Sequence, residues 1–304
     1  MEYVVRIQNL NKVYGKFQAL NDFSMNIPKG SIYGFVGKNG AGKTTTIRIL
    51  TGLQKQTKGE VEIFSIGNDD KKITSARSRM GAVVESPALY MGMTARDNLK
   101  QQYIAMGLPS YEGIDELLEL VGLADTGKKK VKNFSLGMRQ RLGIAVALCG
   151  NPDFLILDEP INGLDPQGII EIRELILKLN KERGMTILIS SHILDELSKL
   201  ATNYGFIDNG HMVREMSAEE LENVCRKCTR MTVDDTKVLS YIMDNLGVEY
   251  KIIDDKTADV YTQLVFSDIA AEFAKHDCNI ISMQEVDESL ESFYLSLLGG
   301  NDNV

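Results

Sequence analysis

Three short segments set the pattern of this chain. Ile32-Tyr33-Gly34-Phe35-Val36 reads as a strand, and Phe154-Leu155-Ile156-Leu157 and Thr186-Ile187-Leu188-Ile189 are continuous apolar runs. Unbroken runs of this length suit strands buried on both faces of a parallel sheet. The first ends at Gly37, the second at Asp158-Glu159-Pro160 and the third at Ser190-Ser191-His192. Between the second and third, residues 169–181 read as a helix, which makes a βαβ unit. In open α/β sheets ligands bind at the carboxyl ends of the strands. Three segments far apart in sequence should therefore converge on one site.

The rest of the chain reads differently. Residues 3–7, 23–27 and 61–64 alternate only in part and suggest half-buried strands near the start. Pro28-Lys29-Gly30 is a turn between strands. From 94 to 123 the pattern is helical, with Ile114, Leu117, Leu118 and Val121 at helical spacing and Pro109 as an interruption. Past residue 217 acidic pairs become frequent (Asp234-Asp235, Asp254-Asp255). There, 249–253 and 259–266 read as exposed strands, and 267–275 and 289–298 as helices. The expected division is a domain over 1–216 and a small α+β appendage over 217–304.

Composition narrows the class. The 304 residues are 43% hydrophobic and 25% charged, ordinary for a soluble globular protein. A net charge of −8 gives no general electrostatic reason to bind nucleic acid or anionic lipid. No apolar stretch approaches the ~20 residues of a membrane helix. The opening residues lack a basic region followed by an apolar segment, so no secretory signal is expected. Four cysteines make no disulfide framework. Cys225-Arg-Lys-Cys228 has C-x-x-C spacing, but no second pair accompanies it, and two ordinary thiols are the expectation. The run Lys128-Lys129-Lys130-Val131-Lys132 reads as a solvated face, with contact to a partner or lipid headgroups as the minor alternative.

The chemistry begins at Gly37-Lys38-Asn39-Gly40-Ala41-Gly42-Lys43-Thr44-Thr45, which fits the P-loop pattern G-x-x-x-x-G-K-[ST]. A chance match in a chain this long is on the order of 1 in 100. Glycines let the backbone curl so that successive N–H groups face phosphate oxygens. Lys43 can reach the β/γ-phosphates, the Thr44 hydroxyl can sit on Mg²⁺, and a helix beginning near Gly42 aims its positive end at the same anion. Asp158 is placed to hold Mg²⁺ directly or through water, and Glu159 to orient or deprotonate an attacking water. His192, just past the third strand, could donate to the γ-phosphate or to that water.

Phe134-Ser135-Leu136-Gly137-Met138-Arg139-Gln140-Arg141 lies shortly before the Asp158 strand. Ser135 is a candidate helix N-cap. Its hydroxyl, the Gly137 N–H and the helix's positive end would make a second phosphate-binding surface. This segment resembles the Leu-Ser-Gly-Gly-Gln signature of the ABC ATPases. With the P-loop and Asp158-Glu159, the chain over residues 3–216 resembles the ATP-binding subunits of ABC transporters. It looks most like those of bacterial exporters for bacitracin or lantibiotic peptides. The resemblance implies an α/β P-loop NTPase fold of ABC type. Its parts would be a parallel core sheet, N-terminal antiparallel strands and a helical subdomain over about 86–150.

The resemblance also assigns roles. Tyr14 matches the aromatic that stacks on adenine, and Asp165 in Gly163-Leu164-Asp165 the loop that crosses the dimer interface. Glu159 matches the catalytic glutamate, and His192 the switch histidine. Two copies would meet head to tail, each offering Ser135 and Gly137 to ATP on the other. ATP is then the substrate and Mg²⁺ the cofactor. The membrane-spanning permease would be a separate polypeptide, holding this subunit peripherally on the cytoplasmic face of the membrane. Coupling to it would run through the Glu85 loop and the helices of 94–123. The chain departs from the family pattern at three positions. Glu85 stands where the family usually has Gln; a carboxylate can ligate Mg²⁺ but, ionised, cannot donate a hydrogen bond. Leu136 and Met138 replace a Gly and the Gln of the signature. A non-transport ABC ATPase acting on ribosomes or DNA, or an ATP-switched regulatory module of a cell-division or sensor complex, is the competing class.

Overall fold

The computed structural model describes residues 2–225, 228–261, 266–276, 278–286, 293–295 and 297. The chain forms two compact units, Met1–Ala218 and Glu219–Val304.

The first unit opens with two long strands, β1 (Tyr3–Tyr14) and β2 (Phe17–Pro28), followed by β3 (Ile32–Val36) and helix α1 (Lys43–Leu50). A hairpin, β4 (Lys58–Ile63) and β5 (Ile66–Gly67), leads to α2 (Ile73–Arg77) and β6 (Met80–Val83). Next come α3 (Ala95–Ala105), α4 (Ile114–Leu120), two 3₁₀ turns and α5 (Leu136–Ala147). The unit closes with β7 (Phe154–Asp158), α6 (Pro166–Arg183), β8 (Thr186–Ser191), α7 (Leu194–Ser198), β9 (Asn203–Asp208) and β10 (His211–Ser217).

Two sheets result. The smaller is antiparallel, in the order β2-β1-β4-β5. The larger runs β10-β9-β3-β8-β7-β6 and is parallel except for β10. The three apolar runs lie side by side at its centre as β3, β8 and β7, each buried along its whole length. Their register brings Val36 opposite Ser191 and Asp158 opposite Ser190, so the three carboxyl ends are level. Helix α1 buries Ile47, Ile49 and Leu50 in a core shared by residues of both sheets, among them Phe23, Phe35 and Ile156.

Some expected boundaries shift for identifiable reasons. β1 and β2 outrun the short strands read from alternation, because register shifts between Ile7 and Val13 reset the two-residue period. β4 ends at Ile63 rather than at 64, since Phe64 and Ser65 take positive φ to turn into β5. Helix α6 begins at Pro166, before the expected 169. Asp165 caps it by accepting from the Gly168 N–H at 3.2 Å, and Pro at the first position loses no hydrogen bond. The 94–123 helical stretch breaks into α3 and α4 around Pro109.

After α8 (Ala218–Val224) the second unit runs β11 (Cys228–Val233), α9 (Thr236–Leu246), β12 (Tyr250–Ile252), β13 (Thr257–Val260), α10 (Phe266–Ala274) and β14 (Ile280–Val286). Its antiparallel sheet has the order β12-β13-β11-β14, the split βαββαβ arrangement. Met231, Val233, Leu239, Ile242, Val260 and Phe273 form its core. The strand expected over 259–266 ends at Val260, and Phe266 instead begins α10; residues 262–265 lie outside the described residues. Most of the helix expected over 289–298 lies outside them too, with 293–295 and 297 helical.

Candidate active site

The loop between β3 and α1 takes its shape from its glycines. Gly42 precedes the helix at φ +117°, and a Cβ there would stand 2.8 Å from the Leu20 side chain. A Cβ on Gly37 would fall 2.6 Å from the Ile207 carbonyl oxygen. Lys38, Asn39 and Gly40 form the exposed crest. Ala41 ties the loop down, its N–H donating to the Lys38 carbonyl (3.1 Å) and its own carbonyl accepting from Gly210 (2.9 Å). Lys43, Thr44 and Thr45 form the first turn of α1.

Lys43 is only 5% exposed. Its Nζ donates to the Gly37 carbonyl at 2.6 Å and the Lys38 carbonyl at 3.3 Å. It also stands 3.2 Å from Glu159 Oε1. That contact is electrostatic: Oε1 is buried and accepts no aligned hydrogen bond among the described residues. Glu159 Oε2 lies 2.8 Å from His192 Nδ1. If the carboxylate is ionised it can only accept, which makes Nδ1 the donor of this contact and leaves Nε2 directed away from Glu159. The Glu159 backbone itself is left-handed, with φ +51°.

Asp158, 1% exposed, accepts two hydroxyl hydrogen bonds. Thr44 Oγ1 donates to Oδ2 at 3.0 Å, and Ser190 Oγ donates to Oδ1 at 2.6 Å. Ser190 Oγ in turn accepts from the Glu159 N–H at 2.9 Å. The site thus joins the carboxyl ends of β3, β7 and β8, as the apolar runs foretold. Sequence reading passed over Ser190; its signal was the parallel register that sets it beside Asp158.

The other expected residues fall elsewhere. Ser135 caps α5, accepting from the Met138 N–H at 3.2 Å. Gly137 faces the turn before α6: a Cβ on it would meet Leu164 at 3.8 Å and Gly168 at 3.9 Å. The signature and the Asp165 loop are therefore neighbours in a second cluster, with Leu136 half-exposed upon it. Tyr14 is fixed by a hydrogen bond to Gln54 Oε1 (2.5 Å), and Lys12 Nζ lies 4.9 Å over its ring. Glu85, also at positive φ (+61°), pairs its carboxylate with Arg48, one helical turn below Thr44. Of the lysine run, Lys128, Lys129, Lys130 and Lys132 are exposed, and Val131 is buried. Beside the Glu85 loop, a groove of about 450 Å³ is lined by Leu53, Val84, Pro87, Leu89, Met106 and Cys149. Burial pushes the Cys149 thiol up to about 12.

Comparison with known proteins bears on this arrangement. The sequence profile of the ABC transporter family matches residues 20–162. The bacitracin transport ATP-binding protein BcrA of Enterococcus faecalis is 40% identical over 99% of this chain and 98% of its own length. The lantibiotic transport ATP-binding protein SrtF of Streptococcus pyogenes is 48% identical over 73% of this chain and 94% of its own. Among solved structures, a dimeric ATP-binding cassette in a post-hydrolysis state with ADP and phosphate bound superposes with a TM-score of 0.64. It is 28% identical, over 70% of this chain and 98% of that one. The cassette CbiO1 of Clostridium perfringens, part of a transporter complex, gives 0.66 at 26% identity, over 81% of this chain and 97% of its own. Among the described residues, no helix is long and apolar enough to cross a membrane.

Proposed function

Because this chain belongs to the ATP-binding subunits of ABC transporters, we propose that it powers an exporter of bacitracin-like or lantibiotic peptides. Its permease is a separate membrane protein, and the subunit works from the cytoplasmic face. Near-full-length identity to a bacitracin transport protein supports the substrate class.

The observation that carries the hydrolytic reading is the state of Glu159. A buried carboxylate oxygen without an aligned donor is costly unless something else uses it. An attacking water would supply the missing hydrogen bond and place its proton on a general base. Lys43 stands beside that oxygen and would turn to the β/γ-phosphates when ATP enters. That leaves the carboxylate to water and to His192. His192, held by Oε2, would offer Nε2 toward the transferred phosphoryl group in its protonated form.

Thr44 and Asp158 fit Mg²⁺. Both present hard oxygens, and Mg²⁺ needs only one or two carboxylates when phosphates and waters complete its shell. Held by Thr44 and Asp158, such an ion would supply positive charge to offset the charge that builds on the phosphates during transfer. Glu85 would join this set only on leaving Arg48.

Ser135 and Gly137 sit with the Asp165 loop, at a helix N-terminus suited to an anion. A head-to-tail pair would bring this surface to the partner copy's ATP. Tyr14 would stack adenine on the ring face away from Lys12. The apolar groove beside Glu85 is where a permease segment would lodge.

The test is made in a peptide-sensitive host. Coexpression with the permease should raise resistance to bacitracin or a lantibiotic, and Glu159→Gln should abolish it while ATP holds the purified variant as a dimer. Undiminished hydrolysis by Glu159→Gln would refute the base.

A further inference from the structure

We propose that Ser190 is a positioning residue for hydrolysis, its one hydroxyl fixing both the metal-facing carboxylate and the general base. The proposal rests on the assignment of Asp158 to the metal and Glu159 to the water, and goes beyond both.

Ser190 is fully buried in β8, directly opposite Asp158 in the parallel ladder. Its hydroxyl has one proton, which goes to Asp158 Oδ1 at 2.6 Å. Its lone pairs receive the Glu159 N–H at 2.9 Å, while the Ser190 carbonyl shares that N–H at 3.2 Å. The two bonds do different work. The bond to Oδ1 fixes the carboxylate plane and turns Oδ2 toward Thr44, whose hydroxyl hydrogen bond it accepts at 3.0 Å, so that the two oxygens proposed to hold the metal face each other. The bond from the Glu159 N–H holds that residue in the left-handed conformation that directs its side chain to Lys43 and His192. A valine, the usual occupant of a buried parallel strand, would fill this position and do neither. Partners that orient a metal ligand typically contribute 10–100-fold to metal affinity or activity.

The experiment uses the full chain with ADP and Mn²⁺, the metal read by electron paramagnetic resonance. Ser190→Ala should weaken Mn²⁺ binding by about tenfold and lower kcat by about 10–100-fold. Metal-free nucleotide binding, and KM for ATP at saturating metal, should stay within about threefold, since Ser190 contacts no phosphate-binding group directly. Ser190→Thr, which keeps the hydroxyl, should recover most of the loss. Ser190→Cys, with similar volume and a weak donor, replaces the alanine variant if that one does not fold. Asp158→Asn is the control. If it leaves Mn²⁺ binding unchanged, the metal assignment itself fails. If it abolishes binding while Ser190→Ala matches wild type, the assignment stands and the role of Ser190 is refuted. Equal loss of metal-free nucleotide binding in Ser190→Ala would also overturn the proposal, marking Ser190 as structural only.

Discussion

Lys43 shows how much one side chain does before any ligand arrives. Its ammonium group satisfies two loop carbonyls and lies beside the buried Oε1 of Glu159, whose charge it neutralises. Removing one partner of a buried charge pair leaves the other uncompensated. Lys43→Ala should therefore cut ATP affinity at least tenfold and also destabilise the nucleotide-free protein, by about 1–3 kcal/mol. Titration calorimetry and thermal unfolding would read the two effects, and unchanged ATP affinity would refute the P-loop assignment. At this scale the sequence was informative where a residue type is tied to a fixed spacing, as at Gly42, Lys43 and Thr44. It was silent where a role arises only from a neighbour in space. The Lys43–Glu159 pair joins the start of α1 to the residue after β7, Arg48 of α1 reaches Glu85 beyond β6, and neither pairing follows from spacing along the chain.

Among the elements, the buried strands were the most legible, because an apolar run of four or five residues has few other uses. The half-buried strands were less so, since bulges such as those between Ile7 and Val13 break the two-residue period. In the second unit, β11, α9 and β14 passed unread. The strands mix polar and apolar residues, and α9 is only 11 residues long, although its apolar positions (Val238, Leu239, Ile242, Met243, Leu246) do carry helical spacing. Helix α5 carries a titratable group with a consequence for pH. Cys149, just past its end, holds its proton up to about 12 against an ordinary value near 9. The folded state keeps the proton that the unfolded state releases. Its contribution to stability is thus intact below about pH 9 and is lost as pH rises toward 12. Denaturant midpoints should fall more steeply above pH 9 in the wild type than in Cys149→Ala. At pH 8 the thiol should resist iodoacetamide until the protein is unfolded.

For the molecule as a whole, the two units have separate cores: one is built on both sheets of Met1–Ala218, the other on the βαββαβ sheet. Every residue placed here at ATP, metal or signature lies in the first. A chain ending at residue 224 should therefore fold and bind ATP with affinity within about threefold of the full protein. Calorimetry would show this, and an unfolded or non-binding fragment would refute the independence of the first unit. The existence of a second unit was legible in the shift of composition past residue 217. Its fold was not, because split βαββαβ pairing joins strands distant in sequence.

The left-handed backbone of Glu159 sets a conformational cost against an ion pair at a single residue. A non-glycine side chain in this conformation costs roughly 1–2 kcal/mol, while its carboxylate is the counter-charge of Lys43. Glycine would relieve the backbone cost but leave the buried Lys43 ammonium without its counter-charge. The two terms oppose one another, so Glu159→Gly should melt within a few degrees of the wild type, at about 2–4 °C per kcal/mol, while hydrolysing no ATP. A library sorted for thermal stability alone would then have little reason to keep the residue proposed as the general base, and only sorting for turnover would retain a Glu at this position.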